Sequence, residues 1–326
     1  QAGLTLRLIP LTSPTTLPVT PLAYWKLGEQ ANFTDNWLVN NSALSNYSTR
    51  SFNFDGIGDY IDIPSSATLS GQAVVSVSAW IKPDSVAGAS TNKRIFDEST
   101  STSGYTRFGI ERDADTIQLK WRDSSNDPSG IPAGTLTTGS VLTVGVWTHI
   151  LAIYDSTSNE QKIYINGSLS TSSTVSISAL GTSTTFGINI GRNSNNNNFF
   201  GGNIDEVAIW HTDQSANVGS IYSGGTPSDL TSLSPTNWWR MGEDATFNGS
   251  TNEFTVPDQS GSSTGTSSNT MLLETLVGEA PNYTGAGLSN AMTIEDRVGN
   301  APSSINNALS YNMDEVDREA DTPPTP

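Results

Sequence analysis

Between residues 52 and 225 the chain repeats one local pattern, short apolar/polar alternations closed by Gly, Asn, Asp or Pro. The runs are Phe52-Asn-Phe-Asp-Gly-Ile-Gly-Asp-Tyr-Ile-Asp-Ile-Pro64, Val75-Ser-Val-Ser-Ala-Trp-Ile-Lys-Pro83, Val146-Trp-Thr-His-Ile-Leu-Ala-Ile-Tyr-Asp155, Lys162-Ile-Tyr-Ile-Asn-Gly-Ser168 and Phe199-Phe-Gly-Gly-Asn-Ile-Asp-Glu-Val-Ala-Ile-Trp210. A period of two places alternate side chains on opposite faces of a strand. Many short strands separated by turn residues imply a sandwich or a barrel. Val75, Val77, Ala79 and Ile81 share one face; Phe108 and Ile110 alternate with Arg107 and Glu111; Ile117, Leu119 and Trp121 alternate with Lys120 and Arg122. Ile150–Tyr154 is apolar on both faces, as a central strand would be. Asn166-Gly167 marks a type I′ hairpin, because both central residues need positive φ. One helix is expected over about 213–223, with Val218, Ile221 and Tyr222 on one face and Gly224 as its C-terminal cap.

Charge and composition narrow the partners. The 326 residues carry 32 acidic against 15 basic side chains, a net charge of −17. Such a surface repels phosphate backbones and anionic lipid, which argues against nucleic acid and membrane insertion. With no cysteine there is neither a disulfide framework nor a thiolate metal site, and two histidines are too few for a histidine-based cluster. The chain begins at Gln1, which fits a processed N-terminus or a start outside this sequence.

The texture divides the chain into three. Residues 1–22 hold four prolines and read as an extended N-terminal arm; 23–225 carry the strands; 226–326 begin with a Pro/Ser linker and end in an acidic, Pro-rich tail. Across those divisions one phrase recurs. Tyr24-Trp-Lys-Leu-Gly-Glu-Gln-Ala-Asn-Phe33 returns as Trp238-Trp-Arg-Met-Gly-Glu-Asp-Ala-Thr-Phe247. It reads as an edge strand ending in a turn, and a duplicated strand can add to an open sheet edge. Tyr24, Trp25, Trp238 and Trp239 are therefore candidate assembly residues, and 236–247 should pair on this sandwich or an adjacent copy.

In their joint order the phrases of 50–225 resemble laminin-G-like domains of the concanavalin A-like lectin/glucanase superfamily. The resemblance implies an all-β, antiparallel two-sheet jelly-roll sandwich, here with N- and C-terminal arms. The flanks, including Ser310-Tyr-Asn-Met-Asp-Glu-Val-Asp-Arg-Glu319, are similar to LamG-bearing virion structural proteins of marine tailed phages. That likeness implies a capsid-decoration, fibre or appendage subunit on a virion surface, partnered by other virion proteins or by copies of itself. The alternative is a secreted or cell-surface bacterial glycan-binding module, calcium-dependent and extracellular.

Three site readings follow. Calcium takes six to eight loop oxygens, and the resemblance implies a structural Ca2+ site at Asp55, Asp59, Asp62 and Asp205; the competing reading is that these are turn residues bonding their own backbone. A glycan groove would use Arg107, Glu111, Lys120 and Arg122 on one sheet face, with Phe199 and Phe200 as stacking platforms; the competing reading is core packing. For catalysis, Glu315-Val-Asp317-Arg-Glu319 spells a pattern similar to the paired carboxylates of sandwich glycosidases, but it lies in the tail with Arg318 where an apolar residue belongs. The sequence reads as a non-enzyme.

Overall fold

The computed structural model describes residues 48–87, 92–100, 105–124, 134–183, 185–268, 270–272, 275–277 and 280–281, with the strand residues 32–33 and 292–293. Two antiparallel sheets make a sandwich. The first runs β11 (Ser168–Ser173), β10 (Glu160–Ile165), β9 (Thr148–Asp155), β4 (Val74–Pro83), β13 (Gly201–Trp210), β2 (Ser51–Asp55) and β18 (Leu276–Val277), and β14 (Asn237–Trp239) also pairs with β13. The second, nine-stranded, runs β15 (Thr246–Asn248), β16 (Glu253–Val256), β17 (Gly265–Ser267), β3 (Ile61–Ile63), β12 (Thr185–Ile190), β5 (Lys93–Thr100), β6 (Tyr105–Asp113), β7 (Thr116–Trp121) and β8 (Gly134–Thr137). A separate compact unit, residues 1–43 and 287–326, contains the antiparallel pair β1 (Asn32–Phe33) and β19 (Met292–Thr293).

Register explains the core. Across the nine-stranded sheet Ile61, Ile190, Phe96, Ile110, Leu119 and Leu136 face one another in sequence, and all six are buried in the main core. Directly opposed residues share a face, so this row points into the sandwich and the next row must point out.

β9 is interior, paired with β10 on one edge and β4 on the other, and every residue of it is buried. Its double apolarity has a cause on each side. Ile150, Ala152 and Tyr154 enter the main core, whereas Leu151 and Ile153 join a second cluster with Trp210, Ile221, Leu230 and Trp238. That smaller core is the outer face of the first sheet, covered by the segment that follows β13.

The helix in that segment is shorter than its sequence period suggests. It is α1, Val218–Tyr222, entered through a 3-10 turn at Ser215–Asn217. Ser223 takes the left-handed capping conformation assigned to Gly224, which itself follows with φ 67°. The hairpin is as read: Asn166 has φ 49° and Gly167 φ 78°.

Both sheets draw strands from beyond residue 225, where the texture changes. The Ser/Thr-rich stretch after 245 has few apolar residues, but Phe254, Val256 and Met271 are all buried in the main core. The N-terminal arm 1–22 and the tail 314–326 lie outside the described residues.

Candidate functional site

One residue out of step with the core row lies a polar one. Thr266, Asp62, Asn189, Asp97, Gly109, Lys120 and Thr135 oppose one another from β17 to β8, on the outer face of the nine-stranded sheet. Its ends are exposed and its middle is buried. At Gly109 a β-carbon would stand 2.9 Å from Arg94 Nη1, so the glycine leaves room for the guanidinium to lie across the sheet. From there Arg94 meets Glu111 at 2.5 Å and donates to Thr106 Oγ1 at 2.9 Å, while Thr106 donates to Asp97 Oδ1 at 2.8 Å. Lys120 pairs with the other Glu111 oxygen. Burial pushes the Asp97 carboxyl up, against the pull of Arg94. Two cations and two carboxylates thus compensate one another within the row.

Beside this cluster the row opens into a pocket of about 390 Å³, lined among others by Asp62, Asn189, Arg192, Ser194, Thr264 and Thr266. Arg192 is its fixed centre. It donates from Nε to Asn189 Oδ1 at 2.9 Å and from Nη2 to Asp62 Oδ1 at 2.8 Å, and its guanidinium carbon sits 3.2 Å from the centroid of the Tyr60 ring. Tyr60 in turn neighbours Phe199 at 6.5 Å between centroids. The Ser194 hydroxyl oxygen is buried and accepts or donates no hydrogen bond among the described residues. A volume of this order, with few convergent polar groups, suits a small polar ligand.

The residues named from sequence divide. Glu111 and Lys120 belong to the polar row, Lys120 keeping 15% side-chain exposure and Glu111 none. Arg107 is a strut at the sheet end: it pairs with Glu98 at 3.0 Å and donates to the Ser183 carbonyl, while Glu98 accepts from Leu69 N–H and Thr68 Oγ. Arg122 is 1% exposed and packs over the Tyr105 ring at 5.0 Å. Phe200 is fully buried in the core, so it is no platform; Phe199 alone is part-exposed, near the pocket. Asn189, Arg192, Ser194 and Tyr60 were missed. Asn189 falls between Ile188 and Ile190, the alternation that marks an outward residue, and that signal was available.

The four carboxylates proposed for calcium do not converge. Asp55 Oδ1 already accepts from the N–H groups of Ile57 (2.7 Å), Gly58 (2.8 Å) and Asp59 (3.1 Å), the turn chemistry of its Asp-Gly phrase. Asp59 accepts from Thr270 and from Asp55 N–H, and Asp62 is paired with Arg192. Asp205 is on the other sheet, fully buried. Among the described residues no three acidic or histidine side chains form a group able to hold a metal ion, so Asp55, Asp59, Asp62 and Asp205 do not fit the implied Ca2+ as one site.

Asp205 belongs instead to a buried acid cluster at a bulge of β13, where Glu206 takes φ 46°. Ser48 donates to Asp205 at 2.8 Å, and Trp238 Nε1 (2.7 Å) and Arg240 Nε (3.1 Å) donate to Glu206. Glu243 accepts from the Thr49 hydroxyl at 2.7 Å. Burial raises the Asp205 carboxyl well above the usual range, reinforced by Glu206; burial likewise raises Glu206, to about 7, though Arg240 opposes it. Trp238, Arg240 and Glu243 are the recurring phrase. β14 pairs Trp239 with Val207 and Trp238 with Ala208 of its own sheet, and both tryptophans are buried, at 0% and 2% exposure. They serve this sandwich internally rather than offering a surface for assembly; Tyr24 and Trp25 lie outside the described residues.

The two antiparallel sheets stack as an all-β sandwich with this pocket on one outer face. A family model described as the concanavalin A-like lectin/glucanases superfamily matches residues 55–217, half of the chain, and the chain belongs to that superfamily. Among solved structures it is similar to a candidate carbohydrate-binding protein from Bacteroides ovatus, at 18% identity and a TM-score of 0.50 over 68% of this chain and 58% of that one. It thus spans somewhat over half of that relative's length. It is also similar to a heptameric SAP-like pentraxin from Limulus polyphemus (16% identity, TM-score 0.40, 53% of this chain and 82% of that one). A third similarity is to the CBM40 of a Ruminococcus gnavus IT-sialidase bound to α2,3-sialyllactose (14%, 0.42, 52% and 95%). None of the curated proteins matches the chain.

Proposed function

We propose that the outer face of the nine-stranded sheet binds carbohydrate without cleaving it, and that the Asp62–Asn189–Arg192–Ser194 pocket is its contact point. One observation carries this reading. Arg192 is pre-positioned by Asp62, Asn189 and the Tyr60 ring beside a buried hydroxyl that no described residue satisfies. A ligand hydroxyl entering the pocket would complete Ser194 and share the planar donors and acceptors already oriented there. Leaving such a group unpaired costs about 1–3 kcal/mol, which a polar ligand recovers. Superfamily membership and the similarity to the candidate carbohydrate-binding protein of B. ovatus support the choice of a sugar over other polar ligands.

The same pocket is poorly equipped for cleavage. Glycoside cleavage generally uses two carboxyl groups flanking the bond. Asp62 is the pocket's one carboxylate among the described residues, and it is engaged by Arg192.

Attachment through a glycan is equally the task of a virion decoration or appendage protein, so that role, at a virion surface or extracellularly, is the wider proposal. It must use contacts other than β14, which is already spent within its own sheet.

The test is a glycan array on the purified protein, followed by calorimetric titration of the best sugar into wild type and Arg192→Ala. Binding lost in Arg192→Ala, on a chain that still unfolds in a single cooperative transition, is the expected result. A protein that binds no arrayed glycan, or whose variant binds as tightly as wild type, would sink the reading.

A further inference from the structure

The charges lining the pocket cancel. Among its described residues Arg192 is the cation and Asp62 the carboxylate, 2.8 Å apart, and the rest of the lining is hydroxyl, amide and apolar. The next charges along the outer row are engaged with one another. Asp97, which opposes Asn189 across the β12–β5 pairing, is fully buried and accepts from Thr106 beside Arg94. Lys120 and Arg94 share Glu111. Neither group lends the pocket a net charge. Around this neutral spot the chain carries a net charge of −17, which repels an anion approaching from solvent.

The local geometry sorts ligands in the same direction. A guanidinium has five N–H hydrogens. Arg192 spends one from Nε on Asn189 and one from Nη2 on Asp62, while the Tyr60 ring covers one of its faces. Five less two leaves three to address a ligand. Asp62 meets Arg192 through Oδ1, and its side chain is 53% exposed, so Oδ2 faces the ligand as an acceptor. A donor edge beside an acceptor oxygen matches two adjacent hydroxyls of a sugar ring, one accepting from Arg192 and the other donating to Asp62. An ionised carboxylate is acceptor-only. On the same edge it would meet the donors of Arg192 and bring a second negative charge against Asp62, which is unfavourable in a binding site.

We propose that Asp62 determines the specificity of this pocket, holding it neutral so that it takes uncharged sugars with vicinal hydroxyls and rejects carboxylate-bearing ones. This rests on the pocket being the glycan site. Arg192 alone would favour the acid, since its fork fits a carboxylate; the choice lies with its partner. Asp62→Asn isolates that choice. The amide keeps an oxygen able to accept from Arg192 and keeps the size, and removes only the charge. Asp62 points outward between the buried Ile61 and Ile63, so the substitution leaves the core intact.

The probes are array glycans in matched pairs, each neutral form beside one whose terminal hexose is oxidised at C6 to the uronic acid. The bound pair is then titrated calorimetrically into wild type and Asp62→Asn. Wild type should bind the neutral member at least about tenfold more tightly than the acid, and Asp62→Asn should move that ratio toward the acid by about tenfold or more. The ratio is the readout because a local disturbance lowers both affinities together. A wild type that prefers the acid overturns the proposal and leaves the pocket a glycan site. An Asp62→Asn chain with an unchanged ratio, or one that binds neither member, does the same. If wild type binds no member of any pair, the glycan reading fails, and the charge selection with it.

Discussion

Trp238 gives its indole N–H to the Glu206 carboxylate across 2.7 Å, in a site where both residues are nearly inaccessible to water. The contact joins a strand from beyond residue 225 to the Asp-Glu phrase at the heart of the sandwich. A buried carboxylate deprived of a donor retains its desolvation cost. Trp238→Phe keeps an aromatic ring but removes the indole N–H and some buried volume, so it should destabilise the fold by at least about 1.5–3 kcal/mol, the range for bonds to charged groups. Urea unfolding with an unchanged m-value and a lowered midpoint is the expected readout.

Two buried groups give the stability a pH dependence of opposite signs. Glu206 titrates near 7 in the folded chain against 4.5 ordinarily, so its contribution is complete below 4.5 and is lost as pH rises toward 7. Burial holds His149 at about 3 against 6.5, so its contribution is complete above 6.5 and is lost as pH falls toward 3. Where both titrate, between 4.5 and 6.5, each contributes roughly 1.4 kcal/mol per pH unit, and they offset. Asp205 is raised as well and adds to the Glu206 side. Glu206→Gln should therefore lose stability relative to wild type by about 2–3 kcal/mol on going from pH 6.5 to 4.5. Parallel denaturation curves across that range would show the opposite of this divergence.

The alternation at Val75–Ile81, the doubly apolar Ile150–Tyr154 and the Asn166-Gly167 turn were legible because each is a local rule with a local cause. The pocket was not. Asp62 and Arg192 are 130 residues apart and meet only because β3 and β12 pair in one register, a non-local fact that spacing does not encode. Arg107 and Arg122 alternate with apolar neighbours as surface residues do, but both are buried, Arg107 against Glu98 and the Ser183 carbonyl and Arg122 over the Tyr105 ring. The duplicated phrase was visible as an edge strand; which edge it occupies depended on the bulge at Glu206.

The engagement of Asp55 by three backbone N–H groups predicts indifference to calcium. Burial tends to raise its carboxyl, but bonds from Gly58, Ile57 and Asp59 outweigh this and hold it below the usual range. Excess EDTA, or added Ca2+, should leave the thermal midpoint unchanged. Asp55→Ala, by contrast, should cost about 1–3 kcal/mol through the lost turn bonds alone. A midpoint that rises with Ca2+ and falls again with EDTA would contradict this.

Phe254 tests whether the C-terminal strands are structural members of the sandwich. It lies on β16, 1% exposed, with its ring 4.8 Å from Phe52 on the opposite sheet and 4.9 Å from Phe247 on the adjacent strand. Its partners thus come from both ends of the folded region. Truncation leaves a cavity between two sheets, and aromatic-to-alanine changes in such cores cost about 3–5 kcal/mol. If β15, β16 and β17 merely decorated an autonomous sandwich, Phe254→Ala would release them and spare the remainder. Because Phe52 sits on β2 beside β13, the expected result is a single cooperative transition shifted to lower denaturant. Far-UV and tryptophan fluorescence curves should coincide, since Trp239 and the strands around it lose the same core.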